Sequence, residues 1–431
     1  MYLSRYLKIY PHRQEPDYHL FYSTKKASII LLHESTLKSL NDGGLSPSDK
    51  DTLSELGFLV HDLNKEKEEM LSFFDEINKR KKFNAVLVMN LDCNLGCRYC
   101  YEGGMKGKFY MSSETADLLI DFIQSHCLAD GKAVHLDFYG GEPLLSLNLI
   151  KSISEKLRSS TEKRGLSYTF NLVTNGTLLT GKIAEELASL GLQSAKITVD
   201  GPRENHDRFR PFKTGSGSFD TIIRNLKETC SLIDIQIGGN YTRENYRDFP
   251  RLLDYLFKEG LTPEKVYIVK FDPVTKTGGA LPDFREGCES INEPWLFEAN
   301  IFLREEIMKR GFHTPKIVPT TCMIELNDDI VVNFDGTIYK CPGLIGWKGF
   351  EIGDVTTGIK DYKESYNLNV WKKQECLNCE YLPLCFGGCR YMKLLRDGKI
   401  DGVDCRKPYL DATLEAFIKQ DIKYRLKADQ P

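Results

Sequence analysis

The middle of the chain alternates short apolar runs with longer segments in which apolar residues recur every three or four positions. The short runs have the length and composition of buried strands, and the longer segments have the period of helices. The strand-like runs are AVLVMNL, AVHLDFY, YTFNLVT, AKITVD, DIQIGGNY and VYIVKF, and the predicted helices cover 113–127, 147–158, 181–190, 219–230 and 247–258. Apolar strands that alternate with helices predict an α/β fold with a parallel sheet, open or closed.

The first 62 residues follow a different pattern, in which short strands surround two helices. The predicted strands are Tyr6–Tyr10, His19–Ser23, Ala27–Leu32 and Phe58–Val60, and the predicted helices are Glu34–Asn41 and Ser46–Leu56. This order indicates a winged-helix-like module that binds DNA, or that binds a peptide as an added strand at its sheet edge. Basic residues are interspersed with acidic ones, which favours the peptide. A domain that only packs against the rest, or acts as a lid, is the third alternative.

Unusual residues follow five of the six predicted strands of the middle region. In parallel sheets, active residues gather just beyond the carboxyl ends of the strands. The segments that follow the first five strands are Cys93–Cys100, Gly140-Gly141-Glu142-Pro143, Thr174-Asn175-Gly176, Asp200-Gly201-Pro202 and Asn240-Tyr241-Thr242. Turn chemistry explains one such loop, but five on one rim predict a functional site.

The first of these loops carries three cysteines, Cys93, Cys97 and Cys100, in a C-x3-C-x2-C spacing. Three thiolates can hold three irons of a four-iron cluster and leave the fourth iron open to a small molecule. Structural zinc is the alternative, but it requires four ligands and usually pairs two C-x2-C knuckles. Because no further Cys or His lies near this loop, the spacing favours an iron–sulfur cluster.

Composition limits the compartment and the partners. The chain has 431 residues, a formal net charge of -3 and 13 cysteines. This charge argues against nucleic acid or a membrane surface as the main partner. The first residues lack the apolar run of a signal peptide, which predicts a cytoplasmic protein. Cysteines in a reducing compartment are read as metal ligands rather than disulfides.

The cysteines near the carboxyl end have a distinctive spacing. The first part of the motif is Cys322-x13-Gly336-x4-Cys341. The remaining cysteines are Cys376-x2-Cys379-x5-Cys385-x3-Cys389 and Cys405. Seven cysteines exceed one tetrahedral site and are one short of two, so two zinc sites are the less favoured interpretation.

The cysteine loop with Tyr99 before its third Cys, the GGEP segment and the Thr174-Asn175-Gly176 turn together resemble the radical S-adenosylmethionine (SAM) superfamily. The resemblance implies a partial (β/α)6 TIM-like barrel, a [4Fe-4S] cluster on Cys93, Cys97 and Cys100, and SAM on its open iron. It further implies that a 5'-deoxyadenosyl radical abstracts hydrogen from the substrate. The implied SAM contacts are Tyr99, Gly140, Gly141, Glu142, Thr174, Asn175, Thr198 and Asn240, with Glu142 meeting the ammonium group. Asp200, His206, Asp207, Arg208 and Arg210 could also contact SAM or substrate. A structural ion pair between Asp207 and Arg208 and an ordinary hydrogen-bonded His206 are an equally good interpretation.

The carboxyl-terminal spacing resembles the twitch/SPASM extension of the same superfamily. By that resemblance, two auxiliary [4Fe-4S] clusters take interleaved ligands: Cys322, Cys341 and Cys389 for the first, and Cys376, Cys379, Cys385 and Cys405 for the second. Many relatives supply an eighth cysteine shortly before the first one, and residues 311–321 contain none. Either Cys288 completes the first auxiliary site, or that site keeps an open iron that can bind a substrate thiolate.

These resemblances divide the chain into four parts and imply a function. Residues 1–62 resemble a precursor-recognition element, 63–82 form an amphipathic linker helix, 83–285 the radical SAM partial barrel and 286–431 the SPASM/twitch domain. The implied function is a radical SAM maturase that installs a crosslink, first of all a Cys thioether, in a ribosomal precursor peptide whose leader binds residues 1–62. Flavodoxin or ferredoxin would donate electrons.

Other functions remain open from the sequence. A maturase that makes a carbon–carbon or ether crosslink is the nearest alternative. A sulfatase formylglycine maturase is less favoured, because Pro342 replaces the Asp that serves as base after the corresponding cysteine in those enzymes. From a different class, an iron–sulfur redox or binding protein would never turn over SAM.

Overall fold

A large twisted sheet organises the molecule, which is described by a computed structural model that covers residues 1–12, 15–42, 44–276 and 286–425. Fifteen strands are formed within these ranges: β1 Tyr2–Leu3, β2 Leu7–Pro11, β3 Tyr18–Ser23, β4 Ile29–His33, β5 Leu59–Val60, β6 Lys82–Val88, β7 Ala133–Tyr139, β8 Tyr168–Thr174, β9 Leu192–Thr198, β10 Asp234–Tyr241, β11 Ile268–Pro273, β12 Asp329–Val332, β13 Thr337–Tyr339, β14 Gly353–Asp354 and β15 Gly358–Ile359.

Helices connect many of the strands, and the longest one, α14, is the last element of the chain. Those described are α1 Glu34–Asn41, α2 Pro47–Glu55, α3 Leu63–Asn78, α4 Ser113–Ile123, α5 Leu147–Glu162, α6 Gly181–Ser189, α7 Arg203–Phe209, α8 Phe219–Thr229, α9 Phe249–Lys258, α10 Pro294–Lys309, α11 Gln374–Leu377, α12 Leu382–Cys385, α13 Arg390–Asp397 and α14 Lys407–Arg425. Within the described residues, no helix is long and apolar enough to cross a membrane.

The six predicted strands of the middle region form β6 to β11, and they lie side by side in chain order. All five of their pairings are parallel. The helices after β6 to β10 bury their apolar sides on the sheet, as the period of three to four residues predicts. The sheet and its helices share one continuous core, in which Leu136, Leu172 and Ile197 are fully buried. The α/β prediction is therefore confirmed.

The sheet continues beyond β6 into the carboxyl-terminal part of the chain. Strand β12 pairs in parallel with β6, and β13, β14 and β15 follow as antiparallel neighbours. The ten-stranded sheet therefore joins the middle region to the cysteine-rich end through main-chain hydrogen bonds. This continuation was not predicted, because β12 is only four residues long and its partner lies about 245 positions earlier.

The predicted amino-terminal strands and helices are present, and an additional strand, β1, was not predicted. Strands β2, β3 and β4 form an antiparallel sheet, and β1 pairs with β5. One face of β3 packs through Phe21 on α2, and the other packs through Leu20 and Tyr22 on the cysteine-rich end and α14. Two-sided burial explains the apolar run of β3. The winged-helix interpretation itself stays a prediction.

Helix α3 is more than a connection between the first module and the central sheet. Met70 and Phe74 are buried against Trp371 and Phe386 of the carboxyl-terminal part. Glu66 is also buried, and its carboxylate pairs with Lys25 at 2.5 Å and accepts a hydrogen bond from the Arg5 main-chain N–H. The predicted amphipathic helix is therefore present, and its apolar face is covered by the end of the chain.

Candidate active site

A cavity of about 520 Å³ opens where the carboxyl ends of β6 to β10 meet. Of the eleven residues predicted to make the radical or hold SAM, ten line this cavity: Cys93, Cys97, Tyr99, Cys100, Gly140, Gly141, Thr174, Asn175, Thr198 and Asn240. Parallel pairing brings them together because every strand ends at the same edge of the sheet.

The cysteine loop is fixed by its neighbours on both sides. The Asn175 side-chain amide donates to the Cys93 sulfur at 3.6 Å, and the Leu95 N–H reaches the same sulfur at 3.4 Å. On the other side, the Gly96 N–H donates to the Pro211 carbonyl at 2.8 Å. Burial raises the pKa of the Cys97 thiol to about 11. Such a group is stable as a thiolate only with a cation or metal beside it.

The two glycines of the second loop hold the chain that precedes Cys93. The Gly141 N–H donates to the Asn90 carbonyl, and the Glu142 N–H donates to the Asp92 carbonyl at 2.8 Å. A Cβ atom on Gly140 or Gly141 would lie 2.3 or 2.1 Å from those same carbonyl oxygens. The close approach that requires glycine is therefore made to the cysteine loop, while the glycine backbones also line the cavity.

Glu142, which is predicted to contact the SAM ammonium group, is bound to neighbouring residues of the chain. Its side chain is fully buried and is not among the groups that line the cavity. The carboxylate accepts hydrogen bonds from the Thr174 hydroxyl at 2.7 Å and from the Asn175 N–H at 2.8 Å. Burial raises the pKa of Glu142, and these donors oppose the rise. In this structure Glu142 positions the third loop; a direct SAM contact stays a prediction.

Tyr99 is the centre of a buried polar network at the cavity wall. Its hydroxyl donates to Asp200 and accepts from the Arg210 guanidinium at 2.8 Å and from the Asn240 amide at 3.0 Å. The Arg210 Nε is buried and has no hydrogen-bond partner among the described residues. A buried guanidinium with a spare donor suits an anionic group such as a ligand carboxylate.

His206 and Asp207 have structural partners. The His206 ring accepts from the Asp200 N–H at 3.1 Å and lies 3.0 Å from the Ser218 hydroxyl. Asp207 accepts from the Phe219 N–H at 2.9 Å, and the Arg208 guanidinium lies over the Phe209 ring. His206 and Asp207 therefore have structural roles, although the ion pair expected between Asp207 and Arg208 is not among the described ion pairs. Arg210, by contrast, lines the cavity.

Apart from Pro342, sequence reasoning missed another part of the cavity wall. This wall is lined by Tyr101, Glu102, Lys106, Tyr139, Pro342, Gly343 and Tyr391. The Tyr101 and Tyr139 hydroxyls are hydrogen-bonded to each other. Burial raises the pKa of Glu102 to about 7. Tyr101 and Glu102 directly follow the third cysteine and could have been suspected, but Tyr391 is brought here only by tertiary folding.

The carboxyl-terminal cysteines lie in two groups whose members influence each other's ionisation. Besides burial, Cys389 raises the pKa of Cys322 and of Cys341. The second group contains Cys376, Cys379, Cys385 and Cys405. Burial and the three other thiols of this group raise the pKa of Cys376 to about 11. The groups correspond to the two predicted ligand sets, whose role as cluster ligands stays a prediction.

A tight turn lies between Cys385 of the second group and Cys389 of the first. Phe386, Gly387 and Gly388 all have positive φ angles, of 40°, 85° and 76°. A Cβ on Gly388 would lie 1.9 Å from the Asp404 carbonyl oxygen. This left-handed turn directs Cys385 to the second group and Cys389 to the first, although only three residues separate them.

Cys288 lies apart from the first group. Its backbone bridges to Thr275, and its N–H donates to the Val274 carbonyl at 2.8 Å. Burial, followed by the charge of Glu293, raises the pKa of Cys288 to about 12, and no other thiol contributes.

The described His, Cys, Asp and Glu residues include no group of three that would hold a single metal ion.

Comparison with known proteins identifies the family of this site. The family model of the radical SAM superfamily matches residues 87–256, which contain the cysteine loop and strands β7 to β10. A Methanocaldococcus jannaschii protein of uncharacterized function is 30% identical over 265 residues, which are 61% of this chain and 86% of the relative. Fe-coproporphyrin III synthase of Methanosarcina barkeri is 33% identical over 188 residues, 43% of each chain.

More distant relatives match over more of this chain. The radical SAM cyclopropyl synthase TigE of Paramaledivibacter caminithermalis is 24% identical over 78% of this chain and 74% of the relative. Among solved structures, anSMEcpe with bound AdoMet and a peptide has a TM-score of 0.61 at 19% identity, with 80% of this chain and 98% of that chain covered. Streptococcus suis SuiB bound to its precursor peptide SuiA has a TM-score of 0.56 at 13% identity, with 94% and 98% covered. With this family match, this relative of 30% identity and this shared fold, the chain belongs to the radical SAM superfamily of enzymes.

Proposed function

We propose that this chain is a cytoplasmic maturase that installs a crosslink, first of all a Cys thioether, in a ribosomally made precursor peptide. The observation that carries the proposal is the extent of the cavity. It reaches from Cys93, Cys97 and Cys100 to Pro342 and Gly343, directly after Cys341 of the first auxiliary group. One substrate segment in this cavity would contact both the cysteine loop and the residues that follow Cys341.

Membership of the superfamily implies a [4Fe-4S] cluster and SAM, and the residues present fit both groups. Three thiols face one cavity, and the donor set is the one that four-iron clusters prefer. When bound, cluster and SAM together supply the 5'-deoxyadenosyl radical. Arg210 with its spare Nε would bind the SAM carboxylate, and Thr198, Asn240 and Asn175 would bind its other polar groups. Tyr99 would hold Arg210 and Asn240 in place.

The first auxiliary group supports thioether chemistry over the alternatives. Cys322, Cys341 and Cys389 would provide three thiolates, and none of these thiols is among the causes that raise the pKa of Cys288. One iron would therefore remain for a substrate thiolate, since soft sulfur suits iron–sulfur sites. Pro342 lines the cavity but cannot accept a proton, which disfavours sulfatase maturation. Cys376, Cys379, Cys385 and Cys405 would hold a third cluster.

Relatives support a peptide as the substrate. The structure of SuiB contains its precursor peptide SuiA, and that of anSMEcpe contains AdoMet and the Cp18Cys peptide. Both share the fold of this chain, and SuiB matches it over 94% of its length. The amino-terminal module would offer a site for the leader.

Strand β4 provides the open edge to which a leader would add. Within the described residues, β4 pairs only with β3. The opposite edge strand, β2, is engaged by the cysteine-rich end, because Lys8 contacts Glu380 at 3.3 Å. Leu31 on β4 is 39% exposed. An unpaired edge with an exposed apolar side chain suits an extended peptide, whose main chain would complete the hydrogen bonds.

Exchanging Leu31 for Asp tests the leader site. We expect Leu31→Asp to weaken binding of a fluorescent leader peptide about tenfold or more, because a charge replaces the apolar contact. Ile9→Asp is the matched control, since Ile9 lies on β2 and is 41% exposed. Equal affinities of the two variants would contradict the β4 site.

Co-expression with the small precursor encoded nearest the gene, followed by tandem mass spectrometry, tests the function. A thioether removes two hydrogens per link and blocks the cysteine thiol against alkylation. Loss of two hydrogens with an alkylatable thiol would indicate a carbon–carbon or ether link instead. If SAM yields no 5'-deoxyadenosine under strong reductant, even with the precursor, the protein is a binding or redox protein.

A further inference from the structure

An exposed basic and aromatic patch covers the outer side of the cysteine loop. Segments 92–98, 107–110 and 208–213 lie side by side there and are held by main-chain hydrogen bonds. The Arg98 N–H donates to the Phe209 carbonyl at 3.1 Å, the Lys213 N–H to the Asn94 carbonyl at 3.0 Å, and the Leu91 N–H to the Phe109 carbonyl at 2.9 Å. The patch is therefore one continuous surface on the loop that carries the three thiols.

The charges of this patch are mostly unbalanced. Arg98, Lys108 and Lys213 are exposed. Lys213 pairs with Asp92 at 2.9 Å, whereas Arg98 and Lys108 have no carboxylate partner among the residues that the structure describes. Glu102 is buried and lines the cavity, whereas Asp335, which follows the Phe334 that stacks on Phe109, is an exposed acid beside the patch. The patch therefore carries unpaired positive charges, although the whole chain has a net charge of -3.

Two large aromatic side chains lie within the same patch. Phe109 is 50% exposed and Tyr110 is 42% exposed. The Tyr110 hydroxyl donates to Asp92 at 2.7 Å, and Phe109 stacks on Phe334 with 5.5 Å between the ring centres. Arg and aromatic side chains that are exposed but held in place are typical of protein–protein interfaces.

The geometry points to a docking surface for an acidic one-electron carrier protein, centred on Arg98, Lys108, Phe109 and Tyr110. This inference rests on the proposed function, because only a reductively activated cluster needs a carrier. One electron would leave the carrier, which is oxidised, and reduce the cluster held by Cys93, Cys97 and Cys100, with no bond formed or broken. Arg98 lies between Cys97 and Cys100 in the chain, so a partner that touches it also approaches the thiols.

Charge complementarity selects this occupant over a second copy of the chain or the substrate peptide. A positive surface attracts a negative partner and raises the association rate, and salt weakens that attraction. The proposed leader edge lies instead on β4 of the first module, and the cavity faces the inner side of the same loop. Reductant and substrate would thus approach from different sides.

Comparing two reductants tests the docking surface in the holoenzyme. 5'-Deoxyadenosine formation is measured with reduced flavodoxin as the protein donor and with dithionite as the chemical donor. We expect the double variant Arg98→Glu/Lys108→Glu to raise the KM for flavodoxin about tenfold, with the dithionite rate unchanged. The dependence of the flavodoxin rate on salt should flatten as well.

The matched control reverses two charges on the opposite side of the barrel. Lys258 and Lys265 are both exposed and lie before the amino end of β11. The double variant Lys258→Glu/Lys265→Glu has the same net charge as the test variant, and we expect it to behave like the wild type with either donor.

Two outcomes would overturn the inference. A flavodoxin KM and salt dependence equal to those of the wild type would remove the docking surface. An equal loss with flavodoxin and dithionite would mean that the two residues act on the cluster itself. Failure of the wild type with dithionite is a different result, since it would refute the proposed radical chemistry rather than the docking surface.

Discussion

At the scale of single residues, the site depends on contacts that fix the cysteine loop rather than on the cysteines alone. The Asn90 and Asp92 carbonyls accept hydrogen bonds from Gly141 and Glu142, and the Asn175 amide reaches Cys93. Each contact joins the loop after β6 to a loop after β7 or β8. The positions of the thiols are therefore set by three neighbouring strands.

Gly141→Ala tests this dependence. A Cβ at this position would lie 2.1 Å from the Asp92 carbonyl oxygen, so the backbone before Cys93 must move. We expect a loss of about 1–3 kcal/mol in unfolding free energy and a loss of iron from the cysteine loop. Gly131→Ala is the control, because its Cβ would meet nothing within 4 Å; its positive φ costs about 1–2 kcal/mol without affecting iron. Full iron content in Gly141→Ala would contradict the role of this contact.

His206 predicts a pH dependence of stability. Burial first, and then the charge of Arg210, lower the pKa of His206 well below its usual 6.5. Below pH 6.5 the unfolded chain therefore binds a proton that the folded chain refuses, and stability falls as pH decreases. One proton contributes up to about 1.4 kcal/mol per pH unit.

Urea unfolding between pH 6.5 and pH 5 measures this slope. We expect His206→Gln to lose less stability on acidification than the wild type, by up to about 2 kcal/mol over this interval. His61→Gln, at an exposed position, should keep the wild-type slope. If both variants show the same slope, His206 does not carry the effect.

At the scale of elements, α3 connects the first module to the end of the chain. Phe74 packs 4.9 Å from the Phe386 ring and 5.2 Å from the Trp371 ring, measured between centroids. Phe386 directly follows Cys385 of the second auxiliary group. Packing of α3 is thus coupled to the turn that separates the two groups of cysteines.

Phe74→Ala should therefore destabilise more than the helix itself. Phe74 is buried, and truncation of such a side chain costs about 3–5 kcal/mol. We expect hydrogen exchange to accelerate in α3 and also in residues 371–389. Glu68→Ala on the solvated face of α3 should change stability by less than about 0.5 kcal/mol. Faster exchange confined to α3 would show that the helix is only a linker.

At the scale of the whole molecule, one sheet carries the cavity and reaches the first auxiliary group. Strand β12 pairs with β6, and β13 ends at Tyr339, two residues before Cys341. The cysteine loop follows β6, the strand with which β12 pairs. A shared strand therefore fixes the spacing between the two proposed cluster sites.

Iron content checks the proposed number of clusters. Three four-iron clusters require about 12 iron atoms per chain. We expect a variant with Cys93, Cys97 and Cys100 all changed to Ala to keep about eight, because the other two groups have their own ligands. A reconstituted wild type with about four iron atoms would contradict the auxiliary clusters, and collective loss of all iron in the variant would contradict their independence.

The sequence alone determined the parts of the molecule that depend on local patterns. Strands β6 to β11 are visible because buried parallel strands are apolar over their whole length. The residues at the rim are visible because parallel strands end at one edge, so that Cys93, Thr174 and Asn240 must converge. The spacing of the carboxyl-terminal cysteines resembles the twitch/SPASM motif, and this resemblance assigns them to two sets.

Only the tertiary structure decided which distant segments meet. It placed β12 beside β6, Tyr391 and Pro342 in the cavity wall, and α3 on Trp371 and Phe386. It also placed the Glu142 carboxylate on Thr174 and Asn175, where sequence reasoning expected a ligand. Such contacts depend on the packing of elements hundreds of residues apart, and the pattern of any one segment does not contain them.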